Sequence, residues 1–182
     1  MGALRHAFER EVSNWRDRNV INFKQEEARQ LVVTTTAGTI KLKRKDDKAK
    51  WEVEQSPLKL DQLDSATADN LLSSLYSLSA HAFADSMTAQ KAGVDQPTAT
   101  ITAVTKDGKE HTLLVGNTEG DDHWVQRKGS PQIFVLKKHT IDNLVRRPLD
   151  FRDKTVLSFK GDDVVSLRLD NRKEKAAVTL TR

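Results

Sequence analysis

Apolar residues recur at helical spacing in three stretches of the chain, and each stretch predicts an amphipathic helix. The first covers residues 3–16, and the second follows Asp64 or Ser65, either of which can cap it with a side-chain oxygen. Thr140 is the expected cap of a short third helix. The apolar stripes consist of Leu4, Ala7, Phe8, Val12 and Trp15 in the first helix, Ala68, Leu71, Leu72, Leu75 and Leu78 in the second, and Ile141, Leu144 and Val145 in the third.

Between these helices apolar and polar residues alternate, which predicts β-strands. We expect a strand set A before the second helix, a strand set B after it, and a return of set A at the end. The predicted strands cover residues 20–23, 30–35, 39–44 and 51–54 in set A, 98–105, 110–115, 123–127 and 132–136 in set B, and 164–169 and 176–180 in the return of set A. The turn Asp107-Gly108 gives the clearest hairpin signal.

One phrase occurs twice, as "WRDRNVINF" at 15–23 and as "FRDKTVLSF" at 151–159, an offset of 136 residues. The acidic pair Glu26-Glu27 matches Asp162-Asp163 at the same offset. Self-similarity of this kind is typical of a duplicated unit. We therefore expect an α+β fold of antiparallel strand sets with two to three packed helices, built from a repeated unit of about 136 residues.

The pattern also suggests how the chain divides. Residues 1–85 would hold the first helix, strand set A and the second helix. Residues 86–182 would hold strand set B, the third helix and the start of a second copy of set A. The two parts can join in one domain, because 182 residues fit one domain or two small ones.

Composition narrows the class of protein. Hydrophobic residues make up 37% and charged residues 31%, as in a well-solvated globule, and the longest apolar run is four residues, at 133–136. A membrane span needs about 20, so none is predicted, nor is the apolar region of a signal peptide. The net charge of +4 is too small to indicate nucleic acid or an anionic membrane as partner. The absence of cysteine excludes disulfides and thiolate metal ligands.

Several phrases together resemble a known family. They are "RDRNVINF", "WEV" before Pro57, "AGVDQP" at 92–97, "KDGKEHTLLVG" at 106–116 and "FRDKTVLSF", and in this order they resemble the bacterial domain of unknown function 4340 over nearly the whole chain. The resemblance implies an extracytoplasmic protein tethered by one N-terminal transmembrane helix, in some members encoded beside ABC transporters of the gliding-motility type. It supplies no catalytic residue, because no activity is established for the family.

The resemblance also implies that the chain is a segment of a longer protein. It lacks the family's membrane anchor, and at Arg182 it stops where a strand like that of Trp51 and Val53 should follow. We therefore expect about one complete unit with part of its neighbours.

The best candidate for chemistry is the cluster Asp121, Asp122 and His123, where two carboxylates and an imidazole are adjacent. Neighbouring residues on a strand point to opposite faces, so a polar hairpin loop is the favoured interpretation over a metal site. No histidine pair has ligand spacing, and no glycine-rich phosphate loop or serine nucleophile motif is present. We expect no catalytic, metal-binding or cofactor-binding residue.

Other conspicuous residues have structural interpretations. The basic stretch at residues 41–50 is expected to be a solvated hairpin rather than a phosphate-binding surface. The acidic pairs are expected to be turn residues. The pairs Arg16-Asp17 and Arg152-Asp153 are expected to fix a helix-to-strand junction by hydrogen bonding to the backbone. Core or interface positions are predicted for the three tryptophans, which are Trp15, Trp51 and Trp124.

These observations lead to one main hypothesis and two alternatives. The main hypothesis is a non-enzymatic, extracytoplasmic binding or scaffolding segment of a membrane-anchored bacterial protein, with a protein partner. The first alternative is a hydrolytic enzyme whose site is assembled from scattered residues such as Asp122 and His123. The second is a nucleic-acid or polyanion binder that uses residues 41–50.

Overall fold

The fold is carried by an antiparallel sheet of eight strands, in the order β3-β2-β1-β5-β6-β7-β8-β4. The computed structural model describes residues 15–155, 159–171 and 173–182. The strands are β1 (Ala28–Thr35), β2 (Gly38–Lys43), β3 (Glu52–Gln55), β4 (Ala82–Phe83), β5 (Ala99–Thr105), β6 (Glu110–Glu119), β7 (Asp122–Arg127) and β8 (Ile133–Lys137). A separate two-stranded sheet is formed by β9 (Ser166–Asn171) and β10 (Ala176–Thr181).

The alternation of apolar and polar residues determines which way each strand faces. In β5, every second residue is buried, beginning at Ala99, while the intervening threonines and Val104 are half-buried on the other face. Gly108 adopts φ +79° in the turn to β6, a conformation that glycine reaches without strain. The predicted sets A and B correspond to β1–β3 and β5–β8, and they join where β1 pairs antiparallel with β5. Strands from both parts of the chain therefore share one sheet.

Three α-helices lie in the described part of the chain: α1 (Ser65–Tyr76), α2 (Ala89–Ala92) and α3 (Lys138–Leu144). The side chain of Asp64 caps α1 by accepting hydrogen bonds from the backbone N–H groups of Ala66 at 3.0 Å and Thr67 at 3.3 Å. The predicted stripe of α1 is buried against the inner face of the sheet, and its members are Ala68, Leu71, Leu72 and Leu75. The α+β class predicted from the pattern is thus confirmed.

Two predicted elements differ from the structure. Residues 20–23 were expected to form a strand, but Val20 and Ile21 lie in a buried irregular segment. The backbone of this segment pairs with the chain after α1 at the isolated bridge Asn19–Ser79, which does not extend into a ladder. Thr140 does not cap the third helix, because α3 follows β8 directly and has Lys137 at its N-cap.

Some elements are short enough to lack a periodic signal. Strand β4, which extends the sheet beyond β8, and the single turn of α2 were not predicted. The helix expected at residues 3–16 lies almost wholly outside the described residues, which begin at Trp15. Among the described residues, no helix is both long and apolar enough to cross a membrane.

Candidate binding surfaces

A groove of about 410 Å³ runs along the outer face of the sheet, opposite the helix-covered face. Its floor includes Thr102 and Thr112, which are paired across β5 and β6 and share a hydrogen bond of 2.9 Å between their hydroxyls. Charges of both signs surround this floor, and they belong to Lys41, Lys128, Glu54 and Glu110. This surface, called here the outer groove, offers hydroxyls and mixed charge rather than a basic track, and it has no aromatic platform.

Part of the outer face, on β6, β7 and β8, is covered by residues 84–98. A small apolar cluster forms beneath this segment from residues of β6, β7 and β8 together with residues of α2 and its flanks, and its members are Ala84, Met87, Ala92, Val94, Leu114, Trp124 and Ile133. The segment approaches the sheet most closely at Gly116. A Cβ at that position would lie 2.0 Å from the carbonyl oxygen of Ala92. The absence of a side chain at Gly116 therefore allows α2 to lie directly on β6.

Gly116→Ala is expected to push α2 away from β6, because the new methyl group would overlap a backbone oxygen that cannot rotate aside. Overpacking of this kind costs about 1–3 kcal/mol. Hydrogen exchange is the measurement: the amides of Gly93 and Val94, which close the turn of α2, should exchange faster than in the parent chain.

The matched control is Gly161→Ala, because nothing lies within 4 Å of a Cβ built on Gly161. Unchanged protection of Gly93 and Val94 in the Gly116→Ala variant would show that residues 84–98 do not rest on Gly116.

The aspartates of the two Arg-Asp pairs bond to the backbone, as predicted, but the expected helix-to-strand junction is not seen, because residues 20–23 form no strand and residues 156–158 lie outside the described residues. Asp17 accepts a hydrogen bond from the N–H of Asn19 at 2.9 Å, and Asp153 accepts one from the N–H of Thr155 at 2.8 Å. Arg16 behaves differently from the expectation, since it bonds to side chains rather than to the backbone. The same Asx turn therefore follows both copies of the Arg-Asp pair.

Arg16 joins its segment of the chain to the β4 edge of the sheet. Its guanidinium donates to Asp85 Oδ2 and to Gln132 Oε1, each at 2.6 Å, and its Cζ lies 3.8 Å from the centre of the Phe83 ring. The hydrogen bond from Arg16 lowers the pKa of Asp85 below its usual range, with Gln132 contributing in the same direction. Asp85 is thus held as an ion-paired carboxylate, which suits a structural contact.

The cluster at residues 121–123 does not converge. Asp122 forms an ion pair of 2.6 Å with Lys137 on the neighbouring strand β8. His123 is half-buried, and burial lowers its pKa, so the imidazole is favoured in its neutral form. Within residues 15–155, 159–171 and 173–182, no three side chains of His, Cys, Asp or Glu come together as a metal ion would require.

The basic stretch at residues 41–50 is divided between the two faces of the sheet. Lys43 points outward and lies 3.8 Å from Glu54, whereas the side chain of Arg44 is only 5% exposed. Asp46 accepts backbone hydrogen bonds from Lys48 and Ala49 and so forms the turn. The stretch is a hairpin end, as predicted, except that Arg44 is buried.

The tryptophans differ from one another. Trp51 is buried beneath the guanidinium of Arg44, and Trp124 packs in the outer apolar cluster, as expected of core residues. Trp15 is 69% exposed, which contradicts a core position, while its counterpart Phe151 is fully buried. Phe151 packs on α1 in the main core.

A second surface is formed by the hairpin β9–β10, called here the second hairpin. One face of it carries five aliphatic side chains that are between 46% and 73% exposed, and they are Val165, Leu167, Leu169, Val178 and Leu180. Phe159, just before the hairpin, is 66% exposed. Aligned aliphatic residues that face water on a strand pair are unusual for a monomer, and contiguous patches of this kind mark interaction sites.

The second hairpin has the same preceding turn and the same apolar cross-strand pairs as the hairpin β1–β2, called here the first hairpin, although the end pairs Thr35–Gly38 and Asn171–Ala176 show that its connection is two residues longer. A 3-10 turn precedes each, at Gln25–Glu27 and at Gly161–Asp163, which places the two acidic pairs in turns as predicted. The last arginine of each donates its N–H back across the strand pair, from Arg44 to Arg29 at 2.9 Å and from Arg182 to Val165 at 3.0 Å. The apolar cross-strand pairs at matching positions are Leu31–Leu42 with Leu167–Leu180, and Val33–Ile40 with Leu169–Val178.

The two hairpins differ in what surrounds them. Phe23 is buried and its ring packs on those of Tyr76 and His111, whereas its counterpart Phe159 is exposed. The repeated phrase predicts that these two phenylalanines share an environment, and the structure shows that they do not. The local arrangement recurs, but in the described residues the second hairpin has no helix or neighbouring strand over it. Within the second copy of the phrase, at 151–159, residues 156–158 lie outside the described residues.

The fold and its surfaces define an α+β protein with a broad antiparallel sheet and two exposed sheet surfaces. The family profile described as Domain of unknown function (DUF4340) matches residues 2–97 and, in a second overlapping segment, residues 85–182. The chain belongs to this family, which confirms the resemblance found in the sequence. No curated protein and no solved structure matches the chain.

Proposed function

We propose that the chain is a non-enzymatic, extracytoplasmic binding or scaffolding segment of a membrane-anchored bacterial protein, accessory to an ABC-transporter or gliding-type system. The observation that carries the binding role is the second hairpin, which exposes five aligned aliphatic side chains. The resemblance to the family supports the location and the cellular setting. A protein partner is favoured over nucleic acid, because the exposed surfaces are apolar or of mixed charge.

We further infer that the chain is built from a repeated unit of about 136 residues. The shared 3-10 turn, strand register and closing arginine of the two hairpins support this unit. Residues 1–85 and 86–182 would then contribute the two parts of the unit, with the second hairpin as the beginning of the next one. Scaffolds made of such units gain binding surface by repetition.

The hydrolase alternative has less support. It would need Asp122 and His123 to act together on one substrate, but Asp122 is ion-paired with Lys137. Adjacent residues on β7 also point to opposite faces of the sheet. A purified chain that hydrolyses a substrate and loses the activity in the His123→Gln variant would restore this alternative.

Labelling of intact bacteria tests the proposed location. Lys59→Cys places a thiol at a side chain that is 92% exposed, and it is the only thiol among these 182 residues; any cysteine elsewhere in the full-length protein is replaced by serine. In the full-length parent protein, this thiol is expected to react with a membrane-impermeant maleimide before the cells are lysed. The matched control is Ala68→Cys, whose position is fully buried and should react only after denaturation. Reaction of the Lys59→Cys protein only after lysis would contradict the extracytoplasmic assignment.

The outer groove is a second surface at which we propose a protein partner, since its charges of both signs suit a polar protein surface, and a cross-linking experiment tests this partner. A maleimide-benzophenone attached to Lys128→Cys, at the outer groove, is expected to join the parent protein to a defined membrane-associated protein in cells. The same probe at Lys59→Cys serves as the control for nonspecific capture. Equal products at both positions, or none at Lys128→Cys, would contradict a partner at the outer groove.

A further inference from the structure

The apolar face of the second hairpin has a counterpart in this chain whose covering is known. In the first hairpin, the matching residues Leu31, Val33, Ile40 and Leu42 are at most 1% exposed. They belong to the same buried cluster as Leu71, Leu72 and Leu75 of α1. In this fold, a helix with a leucine stripe therefore covers the apolar face of the first hairpin.

A neighbouring strand completes the same layer. β1 pairs with β5 along its second edge, with Leu31 opposite Ala103 and Val33 opposite Ile101. The corresponding edge of β9 has no neighbour within the described residues, because β9 and β10 form a sheet of two strands. An unpaired edge of this kind can accept another strand through its backbone N–H and C=O groups.

We propose that the second hairpin is a docking surface for another unit of the same family, which adds a strand along the open edge of β9 and a leucine-striped helix over its apolar face. This inference rests on the proposed scaffolding function and names the partner. The predicted strand resembles β5: it runs antiparallel to β9, with a small residue opposite Leu167 and a β-branched residue opposite Leu169.

The size of the surface favours this partner over the β9–β10 hairpin of another copy of the chain. The exposed aliphatic face consists of five side chains on a pair of six-residue strands and the residue before them. Two hairpins packed face to face would bury less than the roughly 800 Å² per partner of a stable interface. A partner that also extends the sheet buries the edge of β9 as well.

Arg182 indicates the chemistry expected at the end of this surface. Its counterpart Arg44 lies 4.7 Å from the centre of the Trp51 ring and 3.6 Å from Asp69, which accepts a hydrogen bond from the indole N–H of Trp51. The side chain of Arg182 is 72% exposed, and its ion-pair partner within the described residues is Asp162, at 4.0 Å. The partner is therefore expected to bring an indole and a carboxylate to this guanidinium.

A fused chain tests the proposal. Because Arg182 matches Arg44, a second copy of residues 45–155 can be attached directly after Arg182 to supply β3, α1 and β5 to the second hairpin. We expect the amides of β9 to exchange at least about 100-fold more slowly than in the parent chain. The variant Val178→Asp in the fused chain should restore fast exchange, because it places a charge in the apolar face. The control Thr179→Asp, on the other face of the same strand, should not.

Four results would overturn the proposal. The first is unchanged exchange of β9 in the fused chain, and the second is an appended copy that stays unfolded, since the same residues fold when the first hairpin precedes them. The third is loss of protection in β1, which would show that the appended copy takes the first hairpin instead. The fourth is sedimentation of the unfused chain as a dimer in which the amides of β9 are already protected from exchange. This result would mean that the apolar face packs on the β9–β10 hairpin of another copy.

These results are independent of the cell-labelling experiment. If β9 stays unprotected in the fused chain but Lys59→Cys is labelled in intact cells, the docking proposal is wrong and the proposed function stands. If β9 is protected in the fused chain but Lys59→Cys is labelled only after lysis, the docking proposal stands and the proposed extracytoplasmic location is wrong.

Discussion

Replacing Leu75 by alanine is expected to lower the free energy of unfolding by about 2–5 kcal/mol. Leu75 is fully buried in the main core, at the point where α1 meets the sheet. Alanine removes most of the side chain and leaves a cavity that the strands cannot close, since they are held by their ladders. The loss is a large share of the stability of a domain of this size. Urea unfolding followed by circular dichroism is the measurement.

The matched control for Leu75→Ala is Asn70→Ala, on the exposed face of the same helix. Alanine favours a helix at an exposed position, so this change should alter stability by less than about 0.5 kcal/mol. Equal losses for the two variants would mean that α1 does not cover the inner face of the sheet.

The parts of the fold that the sequence predicted are those with a periodic signal over many residues. Helix α1 has an apolar stripe of four positions and an aspartate cap, and β5 and β6 alternate around a glycine turn. Each local preference agrees with the position of the element in the sheet. Such agreement makes these elements predictable from one sequence.

The parts that the sequence did not predict depend on contacts between distant residues. Val20 and Ile21 have the composition of a strand, yet they are buried in an irregular segment that meets the sequence near residue 79. β4 pairs two residues with β8, and α2 is one turn whose position depends on Gly116, so neither leaves a periodic signal. The start of α3 was misplaced because the chain passes from β8 into the helix without a side-chain cap.

The candidate surfaces were predicted only in part. The sequence indicated that Asp121, Asp122 and His123 lie near the start of a strand, but it did not indicate the outer groove, because the lining of the groove comes from five strands and a turn. The return of strand set A at residues 164–169 and 176–180 was visible in the sequence, whereas the exposure of the second hairpin was not. Exposure depends on whether a helix and a neighbouring strand are present, and no local pattern contains that information.

Arg44→Ala is expected to lower the free energy of unfolding by about 3 kcal/mol, because it removes a charged donor from a buried set of backbone acceptors. The guanidinium donates to the carbonyl oxygens of Ala28 at 3.0 Å and Gln25 at 2.9 Å, and it lies over the Trp51 ring. Desolvation by burial lowers the pKa of Arg44, which marks how far the group has been removed from water. Without the guanidinium, the carbonyl oxygens of Gln25 and Ala28 lose the donor that ties the start of β1 to the end of β2.

Two variants separate this effect from a general loss of charge. Lys43→Ala removes the neighbouring cation from the solvent-exposed side of β2, where its ion pair with Glu54 is worth less than about 1 kcal/mol. Arg44→Lys keeps the charge, but a lysine cannot donate in the planar fork that reaches both carbonyl oxygens, so its loss should fall between those of the other two variants. The three free energies, measured by urea unfolding, are expected in the order Arg44→Ala, Arg44→Lys, Lys43→Ala from largest loss to smallest. An Arg44→Ala variant no less stable than Lys43→Ala would show that water replaces the guanidinium, and it would remove the basis for expecting Arg182 to need an indole and a carboxylate from its partner.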